Sequence, residues 1–142
     1  MRAVQLFFIV LGVGGLAYWF TMGSDSQVAQ VPEEPTSAIV EIVIPEPLSA
    51  NAQVGKAAFE AKCSACHGVN AVGQNDVAPP LVHKIYEPSH HADESFQRAV
   101  TLGVRQHHWP FGNMPPVEGL TRDEVTMIIA YVRELQRANG IN

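Results

Sequence analysis

Hydrophobic positions change their pattern twice along the chain. Residues 3–22 form a nearly unbroken apolar run with Gln5 as its one strongly polar interruption. At about 1.5 Å of helical rise per residue, such a run reaches roughly 30 Å, the hydrocarbon thickness of a bilayer. Residues 23–49 mix acidic side chains with Pro32, Pro35, Pro45 and Pro47, which disfavours helix and favours an extended tether. From residue 50 onward apolar positions recur at helical spacing. A first helix is expected over Asn51–Ala65 with Val54, Ala58 and Phe59 on one side. A second is expected from Asp93, its cap, to Gly103, with Phe96, Ala99 and Val100 aligned. The last starts at the capping box Thr121/Glu124, stops at Gly140, and carries Val125, Ile128, Ile129, Val132 and Leu135 on one face. No strand is expected in this part. Ile39–Ile44, apolar and flanked by prolines, could pair as an edge strand or lie on the domain, an isolated extended segment being the plainer reading.

The organisation that follows is an uncleaved membrane anchor (1–22), an acidic proline-containing linker (23–49) and one all-α domain of three or more helices (50–142). A chain of 142 residues has room for one globular unit plus an appendage. Arg2 before the apolar run and Tyr18, Trp19 and Phe20 at its far end orient the N-terminus to the cytoplasm and the rest outward. A cleaved signal peptide is the alternative, but the run exceeds the usual apolar length and no small-x-small site follows Phe20. Of the formal charge of −5, residues 23–49 carry five acids and no base, while residues 50–142 carry eight bases against nine acids. A nearly neutral domain argues against a nucleic-acid partner.

The chemistry sits in Cys63-Ser64-Ala65-Cys66-His67, a C-x-x-C-H motif. Two thiols three residues apart can reach the two vinyl groups of one porphyrin, and the adjacent imidazole can then lie beneath its iron. A zinc site would want a second pair of ligands, and the chain has no other cysteine. A thioredoxin-like pair would follow a strand, whereas this pair follows a helical stretch. A structural disulfide is the remaining alternative. Haem attachment accounts for the fifth residue of the motif, and export accords with it.

On these residues the chain resembles the class I c-type cytochromes over about residues 50–142. The resemblance implies one covalently attached haem c, with Cys63 and Cys66 as thioethers and His67 as an axial ligand. It aligns Gly55 and Phe59 with the family's first helix, and Tyr131 and Val132 with the matching contact on its last helix. Pro79, near Leu81, looks like the proline whose carbonyl accepts a hydrogen bond from the axial histidine. Met114, in Gly112-Asn113-Met114-Pro115-Pro116, matches the family's methionine ligand. Met1 and Met22 belong to the apolar run and Met127 to a helix. The rival ligands are His83, His90, His91, His107 and His108, which would lower the reduction potential relative to Met/His ligation. Arg105 and Trp109 are candidates to hydrogen-bond a haem propionate, Arg105 being equally readable as a surface charge. The paired histidines lack a defined metal-ligand spacing and read as solvated loop residues.

The function expected is that of a membrane-anchored one-electron carrier on the periplasmic side of the inner membrane, without catalytic residues or a small-molecule substrate. Its implied partners are a quinol-oxidising complex and a terminal oxidase or reductase. The alternatives are a haem-bearing subunit of a larger oxidoreductase, or an open-site haem enzyme or gas sensor.

Overall fold

A computed structural model of the chain describes residues 37–142, and the expected anchor (1–22) with the first part of the expected linker lies outside the described residues. No helix among the described residues is long and apolar enough to cross a membrane.

Helix α1 spans Ala50–Lys62, begun by Ser49, whose hydroxyl accepts from the Ala52 N–H. It ends earlier than the expected Ala65 because Cys63 leaves helical geometry at φ −120°. The N–H groups of Cys66 and His67 then turn back to the Cys63 carbonyl, which starts a separate one-turn helix, α2, Ser64–His67. The buried face of α1 is Ala52, Gly55 and Phe59. Val54, expected on that face, is 58% exposed, since at about 100° per residue it lies roughly 140° around the helix from Phe59.

Helix α3 spans Asp93–Leu102. Asp93 is its first residue rather than its cap: Ala92 occupies the cap position, and the Asp93 carboxylate instead pairs with Arg133 at 2.9 Å. Gln97 is buried and donates to the Arg122 carbonyl (3.0 Å) and the Thr126 hydroxyl (3.1 Å), docking α3 on the last helix. That helix, α4, spans Arg122–Ala138 and carries the full capping box of Thr121 and Glu124. Val125, Ile128, Ile129, Val132 and Leu135 are all buried, as their spacing predicts, together with Tyr131, Arg133 and Gln136.

The core forms where α1 crosses α4. A Cβ on Gly55 would stand 1.8 Å from the Met127 carbonyl oxygen, so only glycine admits this approach. One turn on, the Phe59 and Tyr131 rings pack at 5.8 Å with a 59° tilt. The small-residue contact thus falls on the Met127–Ile128 backbone, and Tyr131 meets Phe59.

The domain begins well before the expected boundary at residue 50. The Ile39 and Val40 N–H groups both donate to the Val72 carbonyl, at 3.2 and 3.3 Å. The Val43 backbone pairs in both directions with the Asn139 amide, at 2.7 and 2.8 Å. Ile42 and Leu48 pack on the core, and Ser49 hydrogen-bonds Glu134. Residues 37–49, expected as linker, therefore run along the domain as an extended segment. Its backbone is satisfied by loop backbone groups at Val72 and Asn75 and by the side chains of Asn139, Gln53 and Glu134 instead of a ladder, and no β-strand occurs among the described residues.

Candidate functional site

The kink at Cys63 and the single turn of α2 bring Cys63, Cys66 and His67 to a common cavity of about 650 Å³. Met114, Pro79, Arg105 and Trp109 line the same cavity, among the apolar side chains of Phe59, Leu81, Val100 and Ile128. Its size lies in the range of sites that enclose a small molecule or cofactor.

His67 is buried, and its Nδ1 lies 2.9 Å from the Pro79 carbonyl oxygen. A carbonyl only accepts, so Nδ1 carries the proton and Nε2 keeps a free lone pair. Burial holds the imidazole pKa below its ordinary value, with the Pro79 bond opposing that shift.

The loop after α2 is what delivers Pro79 to His67. Asn70 and Ala71 adopt left-handed backbone angles (φ 56° and 61°), which double the chain back. The fold-back is closed by Gly73 N–H to the His67 carbonyl (2.7 Å) and Leu81 N–H to the Ala71 carbonyl (2.9 Å). The Tyr131 hydroxyl donates to Asn70 Oδ1 at 2.9 Å, tying this bend to α4. Gln74 Nε2 donates to the Ala65 and Cys66 carbonyls at 2.9 and 3.0 Å, satisfying acceptors that the end of so short a helix leaves free. Sequence reasoning passed over Gln74 and Asn70, because single polar residues in a loop carry no periodic signal.

Both cysteines are free, and burial, followed by the nearby Cys66 sulfur, pushes the Cys63 thiol up to about 11. A reactive dithiol needs the opposite shift, toward thiolate at neutral pH.

Met114 is presented by a laced loop. Val104 and Met114 exchange backbone hydrogen bonds at 2.9 and 3.0 Å, just beyond the end of α3. Gly103 makes the turn possible at φ +72°, where a Cβ would meet the Met114 carbonyl at 2.5 Å. Between these points Gln106 N–H donates to Asn113 Oδ1 (2.9 Å) and Gly112 N–H to Gln106 Oε1 (2.8 Å).

Of the rival histidines, His91, His107 and His108 line the cavity, whereas His83 and His90 do not. The His83 Nδ1 is engaged in capping a short turn, accepting from the Ile85 N–H at 3.2 Å.

The residues present suit a porphyrin. Trp109 Nε1 is buried beside the Tyr86 hydroxyl but outside hydrogen-bond geometry, and an unpaired buried donor costs about 1–3 kcal/mol unless an acceptor arrives. An anionic oxygen such as a propionate is such an acceptor, and Arg105 borders the same space. The thiol pair, the imidazole with a free Nε2 and an apolar enclosure complete the set.

The cytochrome c family model matches residues 52–136. No curated protein and no solved structure matches the chain. With three-fifths of its length covered by that match and a C-x-x-C-H turn opening on a fitting cavity, the chain belongs to the cytochrome c family, whose cofactor is a covalently attached haem c.

Proposed function

We propose that the protein is a one-electron carrier held at the inner membrane by residues 1–22, with its haem domain in the periplasm. When bound, the haem supplies a reversible ferric/ferrous couple. Cys63 and Cys66 would hold it as thioethers, His67 Nε2 and the Met114 sulfur would be the axial ligands, and Arg105 and Trp109 would face its propionates. Pro79 acts as a positioning residue, fixing the His67 ring and tautomer through the 2.9 Å bond to Nδ1.

One observation carries this reading: the oriented His67 imidazole and the Met114 side chain line a single cavity. Two protein ligands would leave the iron no open position, which favours electron exchange over catalysis. Cys66 is exposed, so the attachment edge lies at the surface where a partner can approach. Anchoring confines the search for partners to the membrane surface and raises their effective concentration. A quinol-oxidising complex as donor and a terminal oxidase or reductase as acceptor suit a carrier so placed.

The test is the ferric optical spectrum of Met114→Ala against the parent. A low-spin to high-spin change, with carbon monoxide binding to the reduced variant and not to the parent, is the expected result. An unchanged low-spin spectrum would give the sixth position to His91, His107 or His108 and overturn the assignment.

A further inference from the structure

Two loops far apart in sequence bring four imidazoles together beside the haem cavity. His90 and His91 end the segment before α3, and His107 and His108 lie in the loop that leads to Met114. The His107 and His108 rings stand 4.2 Å apart, and the His90 and His91 rings 4.7 Å apart. Across the two loops, the His90 and His91 rings each lie 5.3 Å from the His108 ring. One ligand atom from each of His90, His91 and His108 falls within 4.8 Å of the others.

From this geometry we infer a second metal site, in which His90, His91 and His108 bind a divalent transition ion of borderline softness, of the zinc and copper class. The Nε2 atoms of His90 and His108 are 3.4 Å apart. That is long for a hydrogen bond between nitrogens, but it matches the ligand edge of a tetrahedral ion, roughly 3.3–3.4 Å for Zn–N bonds of 2.0–2.1 Å. His91 is prepared in the way His67 is. Its Nδ1–H donates to the Ile85 carbonyl at 2.6 Å, which leaves Nε2 with its lone pair. A metal-binding histidine is commonly oriented by such a backbone acceptor. The His91 carbonyl is itself held by the Arg133 guanidinium, which also pairs with Asp93, so the ligand stands on a fixed backbone.

His90 and His108 are exposed, so their imidazoles can rotate toward a shared ion. His107, oriented by Nδ1–H to the Arg105 carbonyl at 2.8 Å, has its ring 4.2 Å from that of His108. Soft thiolates are absent from the cluster, and nitrogen ligands alone suit zinc, copper and nickel. The site does not depend on which residue closes the haem iron, provided none of these three does.

The experiment is calorimetric titration of the full-length holoprotein with Zn²⁺, repeated on the double variant His90→Ala/His108→Ala and on His108→Ala alone. One equivalent of Zn²⁺ should bind saturably, with affinity falling at least 30-fold in the double variant and at least 10-fold in the single one. Each variant should keep the parent's low-spin haem spectrum, which also shows that it has folded. Absence of saturable binding by the parent, or equal affinity in the double variant, would overturn the site. Loss of the low-spin spectrum in His108→Ala would overturn it as well, by assigning that imidazole to the haem.

Discussion

Where α1 meets α4, shape decides the structure, and around the cavity hydrogen bonds decide it. In the helix pair a missing side chain at Gly55 admits the Met127 backbone, and Phe59 fills the next turn against Tyr131. In the loops at 68–92 and 103–116 few side chains are fully buried, and polar groups hold the backbone in place. Gln74 closes the α2 turn, Asn113 and Gln106 lace the Met114 loop, and Arg133 and Gln136 reach from α4 to the carbonyls of Tyr86, His91 and Leu81. The helices are thus a frame that apolar burial can assemble, while the cavity wall is tied to that frame at a few polar points. Damage to the frame should be global, and damage to a tie should stay local.

The largest effect should come from Gly55→Val. No rotamer relieves a Cβ that would stand 1.8 Å from a carbonyl oxygen, so the helices must separate, at a cost of about 4 kcal/mol or more. Guanidinium unfolding of the holoprotein measures it, and a loss below about 1 kcal/mol would mean that the crossing is not tight.

An intermediate effect is expected of Arg133→Met, which keeps an apolar side chain of similar length but removes the guanidinium from over the Phe96 ring and with it the bonds to Asp93, Tyr86 and His91. The His91 carbonyl loses its donor, while the Tyr86 carbonyl keeps Gln136 Nε2 and the Asp93 carboxylate faces solvent, so the cost should be about 1–3 kcal/mol. Amide exchange should accelerate over residues 81–91 and stay unchanged within α1. Uniform acceleration would show that this clamp belongs to the frame.

Tyr131→Phe should be mildest at neutral pH, about 1 kcal/mol for the lost bond to Asn70. The difference should then shrink in alkali. Burial pushes the Tyr131 phenol up to about 12, whereas an unfolded chain releases that proton near pH 10. The parent's stability from this group is therefore complete below about pH 10 and declines as pH rises toward 12. Tyr86, likewise pushed up to about 12 by burial, adds a loss common to both proteins. Unfolding curves at pH 7, 10 and 11 give the comparison, and parallel losses in the two proteins would exclude Tyr131.

The two regions also differ in how far the amino-acid order reveals them. Val125, Ile128, Ile129, Val132 and Leu135 of the α4 face are readable because a 3.6-residue period is a local property, and Thr121 and Glu124 mark its start within one turn, whereas buried Tyr131 enters only through the resemblance. The C-x-x-C-H turn was readable because its chemistry demands adjacency. Val54 misleads because five residues of separation from Phe59 turn it about 140° around α1, off the buried face. The extended segment at 37–49 read as linker on its prolines and charge, since its partners, Asn139 and Val72, are remote in the chain. Gln74 and Arg133 were likewise invisible, their roles being set by carbonyls that converge only after folding. The histidines carried no spacing pattern because two loops supply them.

The close approach at Gly55 has a consequence for biosynthesis. Its counterpart at Met127 lies about seventy residues downstream, so the first helix has no docking surface until nearly the whole polypeptide has been made. Closing so long a segment carries an entropic cost that only the completed helix pair can offset. Until the last helix arrives, α1 and the Cys63–Cys66 turn that follows it have nothing at this crossing to lock against.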